Sequence, residues 1–161
     1  MNSQQVTRQG VFETNSSSSH SLSLGKATFI TLPDLPEDVV ASGVIRVHLC
    51  EYNDTGESLS TFPEKLAYLI AEIIPNWGFT ELAPEQTEGA ATIALCEQYP
   101  DLNTIQDFLN ETLGISFVVL PGDSYIDGGI KGNVRNQVFS EPGILANYLF
   151  NPQTYVHLDH D

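Results

Sequence analysis

The sequence predicts an α+β protein, a mixed or mainly antiparallel sheet with about four helices packed on it. Two patterns and one absence lead there. Apolar residues alternate with polar ones in the first third of the chain, helical spacing takes over in the middle, and the two mix towards the end. No period of about 20–50 residues recurs, which argues against solenoids and propellers. A length of 161 residues suits one domain, 1–161, with residues 157–161 expected to form a mobile tail.

Val6, Val11 and Phe12 precede a serine tract, and Leu22 and Leu24 alternate with Ser21 and Ser23 after it, as in a half-buried strand. Ala27 to Leu32 is a second β-prone run, ended by Pro33 and Pro36, which lack the amide protons a ladder needs. A turn-rich acidic connector follows. Val44 to Cys50 reads as a strand with apolar residues on both faces, suited to a central position, and this makes His48 a buried, hydrogen-bonded histidine.

Thr61 followed by Glu64 matches a capping box. Leu66, Leu69, Ile70 and Ile73 then share one stripe before Pro75 ends the helix. Pro84 can open a second helix, with Ala91, Ala94 and Leu95 on one face, ending near Tyr99 and Pro100. A third begins at about Leu102, carries Ile105, Phe108, Leu109 and Leu113 on one side, and stops at Gly114. Ile115 to Leu120 reads as an interior strand, with Tyr125 and Ile126 as a short hairpin partner. Ser140 is placed to cap a last helix through Ile144, Leu145, Tyr148 and Leu149, stopped at Asn151 and Pro152, after which Thr154 to Leu158 is extended.

Composition narrows the function. Six Lys and Arg against 21 Asp and Glu give a net charge of −15, which repels phosphate backbones and anionic lipid and disfavours direct nucleic-acid or membrane binding. Apolar residues at 41% are enough for a core. Cys50 and Cys96 form neither a disulfide framework nor a CxxC knuckle, and read as reduced thiols of a cytoplasmic protein. No run has the ~20 apolar residues of a membrane span, and Met1 to Gln9 lacks the apolar core of a signal peptide.

The most unusual stretch is Phe12-Glu13-Thr14-Asn15-Ser16-Ser17-Ser18-Ser19-His20-Ser21. It lies between two strand patterns, and as a tight loop it offers hydroxyls and amides suited to phosphate or carboxylate oxygens without Lys or Arg. In that reading His20 is the acid or base, Ser16 and Ser17 are hydroxyl donors to the ligand or a nucleophile, and Asn15 polarises the reacting group. Glu13 or Asp127 orients the imidazole, Arg8 neutralises ligand charge, and Thr14, Ser18 and Ser19 complete the ligand-binding surface. The bland alternative is a solvated low-complexity loop with an incidental histidine. No G-x-S-x-G elbow, Walker A loop, G-x-G-x-x-G or H-E-x-x-H occurs in the chain. No cofactor or metal is implied.

Arg8 through Ser21 resembles the opening of a group of small bacteriophage-encoded proteins that begin with a basic residue followed by F-E-T-N-S-S-S-x-H-S. A fainter echo lies in Leu149-Phe150-Asn151-Pro152 leading to Tyr155-Val156. The resemblance covers about a tenth of the chain, and it implies a phage or prophage origin and a shared local structure rather than a reaction. Proteins of the group carry Asp-His-x-Ser after a Tyr-Ile or Tyr-Val pair, where this chain has Tyr125-Ile126-Asp127-Gly128-Gly129. That departure implies an impaired or repurposed site if the absent histidine is catalytic in the others.

Other residues weigh less. His157, Asp159, His160 and Asp161 are metal-capable, but alternation sets His157 and Asp159 opposite His160 on what reads as a frayed end. Gly128, Gly129 and Gly132 around Lys131 suit a mobile turn better than a phosphate loop, and Trp77 and Phe79 suit a hydrophobic plug. Arg8, Arg46 and Arg135 can partner an anionic ligand or simply pair with surface carboxylates. Two functions of different class follow. One is a pocket for an anionic or nucleotide-like ligand, with hydrolase or group-transfer chemistry. The other is a non-enzymatic acidic effector that binds a basic host protein as a nucleic-acid mimic would, with a minor virion protein as a third possibility.

Overall fold

The computed structural model describes residues 20–52, 55–74, 87–120, 126 and 133–158. It has the expected α+β architecture, with the strands divided between two small sheets. Strand β1 (His20–Ser23) leads through a short 3-10 turn (Ala27–Phe29) to α1 (Glu37–Ser42), β2 (Val44–Val47) and β3 (Ser58–Leu59). Helices α2 (Phe62–Ile73), α3 (Glu88–Gln98) and α4 (Pro100–Leu113) follow, then β4 (Ser116–Val119), α5 (Asn133–Val138), α6 (Ile144–Phe150) and β5 (Tyr155–Leu158). The antiparallel sheet has the order β1-β5-β3, with His20 opposite Leu158 and Leu59 opposite Val156. Strands β2 and β4 form a parallel pair, Val44 beside Ser116 and Val47 beside Val119.

Helix α2 is the centre of the molecule. Its capping box is formed as the spacing predicts, with Thr61 Oγ1 accepting from Glu64 N at 3.3 Å and Glu64 Oε1 accepting from Thr61 N at 3.2 Å. Every residue from Lys65 to Ile73 is buried, because α2 packs against α4, α5, α6 and β2. The apolar stripe read from the sequence is thus one of several buried faces. Gly114, at φ 68°, closes α4 as expected, and its neighbours Leu102, Ile105 and Leu109 are fully buried.

Several expectations are corrected. Ala27 to Leu32 is not a strand: Thr31 N donates to Phe150 O at 2.9 Å and Asn151 Nδ2 to Lys26 O at 2.8 Å, so this segment is held to the end of α6 instead of a ladder. The acidic connector contains α1, with Pro36 at its N-cap and Gly43 at φ 72° at its C-cap. The strand expected over 44–50 stops at Val47 and has a single strand partner among the described residues, and His48 is exposed rather than buried. Strict alternation, with Ile45, Val47 and Leu49 inside and Arg46, His48 and Cys50 outside, was hidden by the apolar Val44 beside them.

Thr87, not Pro84, caps α3, and Ala94 is exposed; Pro84, Trp77 and Phe79 lie outside the described residues. Among the described residues β4 has one strand neighbour, where an interior strand would have two. Ile126 is buried but not in a strand, and the rest of the expected hairpin lies outside the described residues. Ser140 does not cap the last helix: its hydroxyl donates to Gln137 O at 2.7 Å behind α5, and Gly143 precedes α6. His157 and Leu158 are not a loose tail but part of β5, the middle strand of its sheet, while residues 159–161 lie outside the described residues.

Candidate functional site

His20 opens β1 and turns inward, with 2 % of its surface exposed. The ring meets Tyr68 of α2, whose phenol oxygen lies 2.7 Å from Nδ1. Glu72, one turn further along α2, is near enough for its charge to disfavour ionisation of that phenol. Its Oε1 also accepts from the backbone N–H of Arg135 in α5 at 2.7 Å. Lys65, Tyr68 and Glu72 are spaced three and four apart, so they share a face of α2, and all three are buried.

The phenol of Tyr68 can donate to Nδ1 or accept from Nδ1–H, according to the tautomer of the ring. In either case Tyr68 holds the buried imidazole at that nitrogen.

The phenols themselves stay protonated. Burial raises Tyr68 well above an ordinary tyrosine, with the nearby charge of Glu72 adding to it. Tyr148, whose hydroxyl donates to Lys65 O at 2.6 Å, is raised by burial and then by Glu72. Tyr52 packs edge-on to Tyr68 at 5.0 Å between ring centroids and is raised by burial, then by Cys50 and Glu64. Lys65 is pulled down to about 8 by burial, and its ammonium donates to Asn151 O at 2.8 Å and Thr154 O at 2.9 Å. These two bonds fix the turn between α6 and β5, which in turn places β5 beside β1 and His20.

Of the residues predicted for the site, the described structure contains His20 alone. Arg8, Glu13, Thr14, Asn15, Ser16, Ser17, Ser18, Ser19 and Asp127 lie outside the described residues, as do Gly128, Gly129, Lys131 and Gly132. Arg135 and Arg46 take the surface-pairing option: Arg135 Nε donates to Asp101 Oδ2 at 2.8 Å, and Arg46 Nη2 reaches both oxygens of Glu88 at 2.9 Å. His157 Nδ1 lies 3.0 Å from Ser58 Oγ across the sheet. Among the described residues no group of three metal-capable side chains converges, and no helix is long and apolar enough to cross a membrane.

Tyr68 and Glu72 were missed from the sequence, although a signal was present. A helix with Phe62, Leu66, Ala67, Leu69, Ile70, Ala71 and Ile73 has no spare face for solvent, so Lys65, Tyr68 and Glu72 had to be buried polar groups in need of partners. No family model, curated protein or solved structure matches the chain.

Proposed function

We propose that the protein binds a small anionic or nucleotide-like ligand at its amino-terminal Ser/His segment and that His20 acts there as the proton acceptor in a hydrolysis or group transfer. The observation that supports this reading is the burial of His20 with its Nδ1 2.7 Å from the phenol oxygen of Tyr68, which orients the ring. Asn15, Ser16 and Ser17 would supply neutral donors to the ligand and Arg8 a charge, on a molecule otherwise hostile to anions. The phage origin implied by the Arg8 to Ser21 resemblance belongs to the same proposal. The test is a thermal-shift screen of nucleotides, dinucleotides and other phosphorylated small molecules, since a ligand bound by the folded state raises its melting temperature by mass action. A shift that His20→Ala removes supports the reading. No shift with any of them would overturn it.

A second reading, an acidic effector for a basic host protein, is favoured by how the cations are arranged. Lys65 is buried, and Arg46 and Arg135 are each tied to a carboxylate, so they relieve little of the negative surface. Neutralising several exposed carboxylates should then abolish activity while His20→Ala leaves it intact, the reverse of the pocket reading.

A further inference from the structure

We propose that the trough beside β2 receives an extended basic segment of a partner protein, which adds to the free edge of β2 as a further strand. The inference is independent of His20 and rests on the acidic-surface reading, for which it names the docking place.

The first argument is the hydrogen bonding of the parallel pair. Ser116 N donates to Gly43 O at 2.9 Å and Leu120 N to Val47 O at 3.0 Å, so Gly43, Ile45 and Val47 turn their backbone groups to β4. Val44, Arg46 and His48 turn theirs away. The outer edge of β4 is closed by side chains: Phe117 N donates to Gln106 Oε1 at 2.7 Å, Gln106 Nε2 to Phe117 O at 3.0 Å, and Val119 N to Thr92 Oγ1 at 2.9 Å. Among the described residues, the outer edge of β2 is closed only at its start, where Ser42 Oγ bonds both N and O of Val44 at 3.2 Å. Among the described residues, the backbone N–H and C=O groups of Arg46 and His48 have no protein partner. Such an edge is a template for strand addition.

The second argument is the shape and charge beside that edge. A cavity of about 500 Å³ runs there, with Ile45, Val47, Leu59, Pro63, Ala67 and Leu158 as its apolar lining and Glu51, Glu57 and Glu64 as its carboxylates. Arg46 also lines it, but its guanidinium is engaged by Glu88. A second cavity of about 540 Å³ shares Ile45, Arg46 and Pro63 and adds Asp34 and Asp38 near α1. An extended segment alternating apolar and basic residues matches both properties, because its side chains point alternately to opposite sides. A second copy of this chain does not, since two molecules of charge −15 repel.

The test uses the full chain and a short fluorescent peptide alternating Lys and Val, with a Glu-Val peptide as control. The Lys-Val peptide should bind, the control should not, and saturation should slow hydrogen exchange at the Arg46 and His48 amides by ~10-fold or more while Ile45 and Val47 stay unchanged. The double substitution Glu51→Gln and Glu57→Gln, both exposed positions, should weaken binding ~10-fold with an unchanged melting temperature. Binding without protection of Arg46 and His48 overturns the trough and leaves the acidic-surface reading standing. Absence of binding overturns both. Protection already present in the free protein overturns the proposal by showing the edge covered by this chain, and sedimentation then separates self-coverage from a second copy.

Discussion

Buried polar side chains form the candidate site, and His20, Lys65 and Tyr148 meet partners far away in sequence. The residue most exposed to test is Tyr68, which lies between His20 and Glu72, 48 residues from the first and four from the second. Tyr68→Phe keeps the ring and its edge contact with Tyr52 but removes the hydroxyl that meets His20 Nδ1. It should cost about 1–3 kcal/mol in urea unfolding. It should also impair the ligand response that His20→Ala abolishes, whereas a purely structural tyrosine would leave that response intact once the protein is folded. The sequence context singles out His20, a histidine at the end of a hydroxyl-rich run, but not its buried partner Tyr68. Glu13 and Asp127 lie outside the described residues, and the described side chain that meets His20 is Tyr68 of α2, a helix that also packs against α5.

Elements with strong local signals formed where the residues dictated. The capping box of α2 and the left-handed glycine after α4 depend on contacts within a few residues, so spacing alone specifies them. Thr61→Ala should lower stability by about 1 kcal/mol through loss of the cap, measurable as a shift in the denaturation midpoint. Other elements depend on distant partners. The β-prone Ala27 to Leu32 run became a 3-10 turn because Gly25 N donates to Thr154 Oγ1 at 2.8 Å, Asn147 Nδ2 to Gly25 O at 3.0 Å, and the hydroxyl of Thr154 bonds Asn147. That knot leaves no room at Gly25: a Cβ there would stand 2.8 Å from Gln153 Cβ and 3.1 Å from its carbonyl carbon. Gly25→Ala should therefore destabilise the protein by about 1–3 kcal/mol, through overpacking rather than backbone conformation. A melting temperature equal to that of the parent protein would contradict this account.

For the molecule as a whole, the buried ionisable groups make stability depend on alkaline pH in two opposed ways. Lys65 is held at about 8 when folded, below the ordinary lysine value of 10.5. Between those values the unfolded chain keeps a proton that the folded chain has released, so stability rises with pH. Tyr52, Tyr68 and Tyr148 are raised when folded. Above about pH 10 the unfolded chain releases protons that the folded chain retains, so stability falls. Urea midpoints from pH 7 to 11 should climb and then drop, and Lys65→Met should remove the climb while keeping the drop. That variant should also be less stable at neutral pH by about 2–3 kcal/mol, since the Asn151 and Thr154 carbonyls lose their donor.

At this scale the division between sequence and structure has one cause. Local chemistry determined the α+β class, α2, α4, the stop at Asn151 and Pro152, and the excess of negative charge, because each is set by neighbours within about a turn or by composition. Tertiary packing decided which polar residues of α2 are buried and that Tyr68 meets His20. It also decided why Gln106 and Thr92 close one edge of the parallel pair and leave the other open. Those outcomes depend on surfaces that meet only after the chain has closed on itself, and no spacing along the chain encodes the meeting.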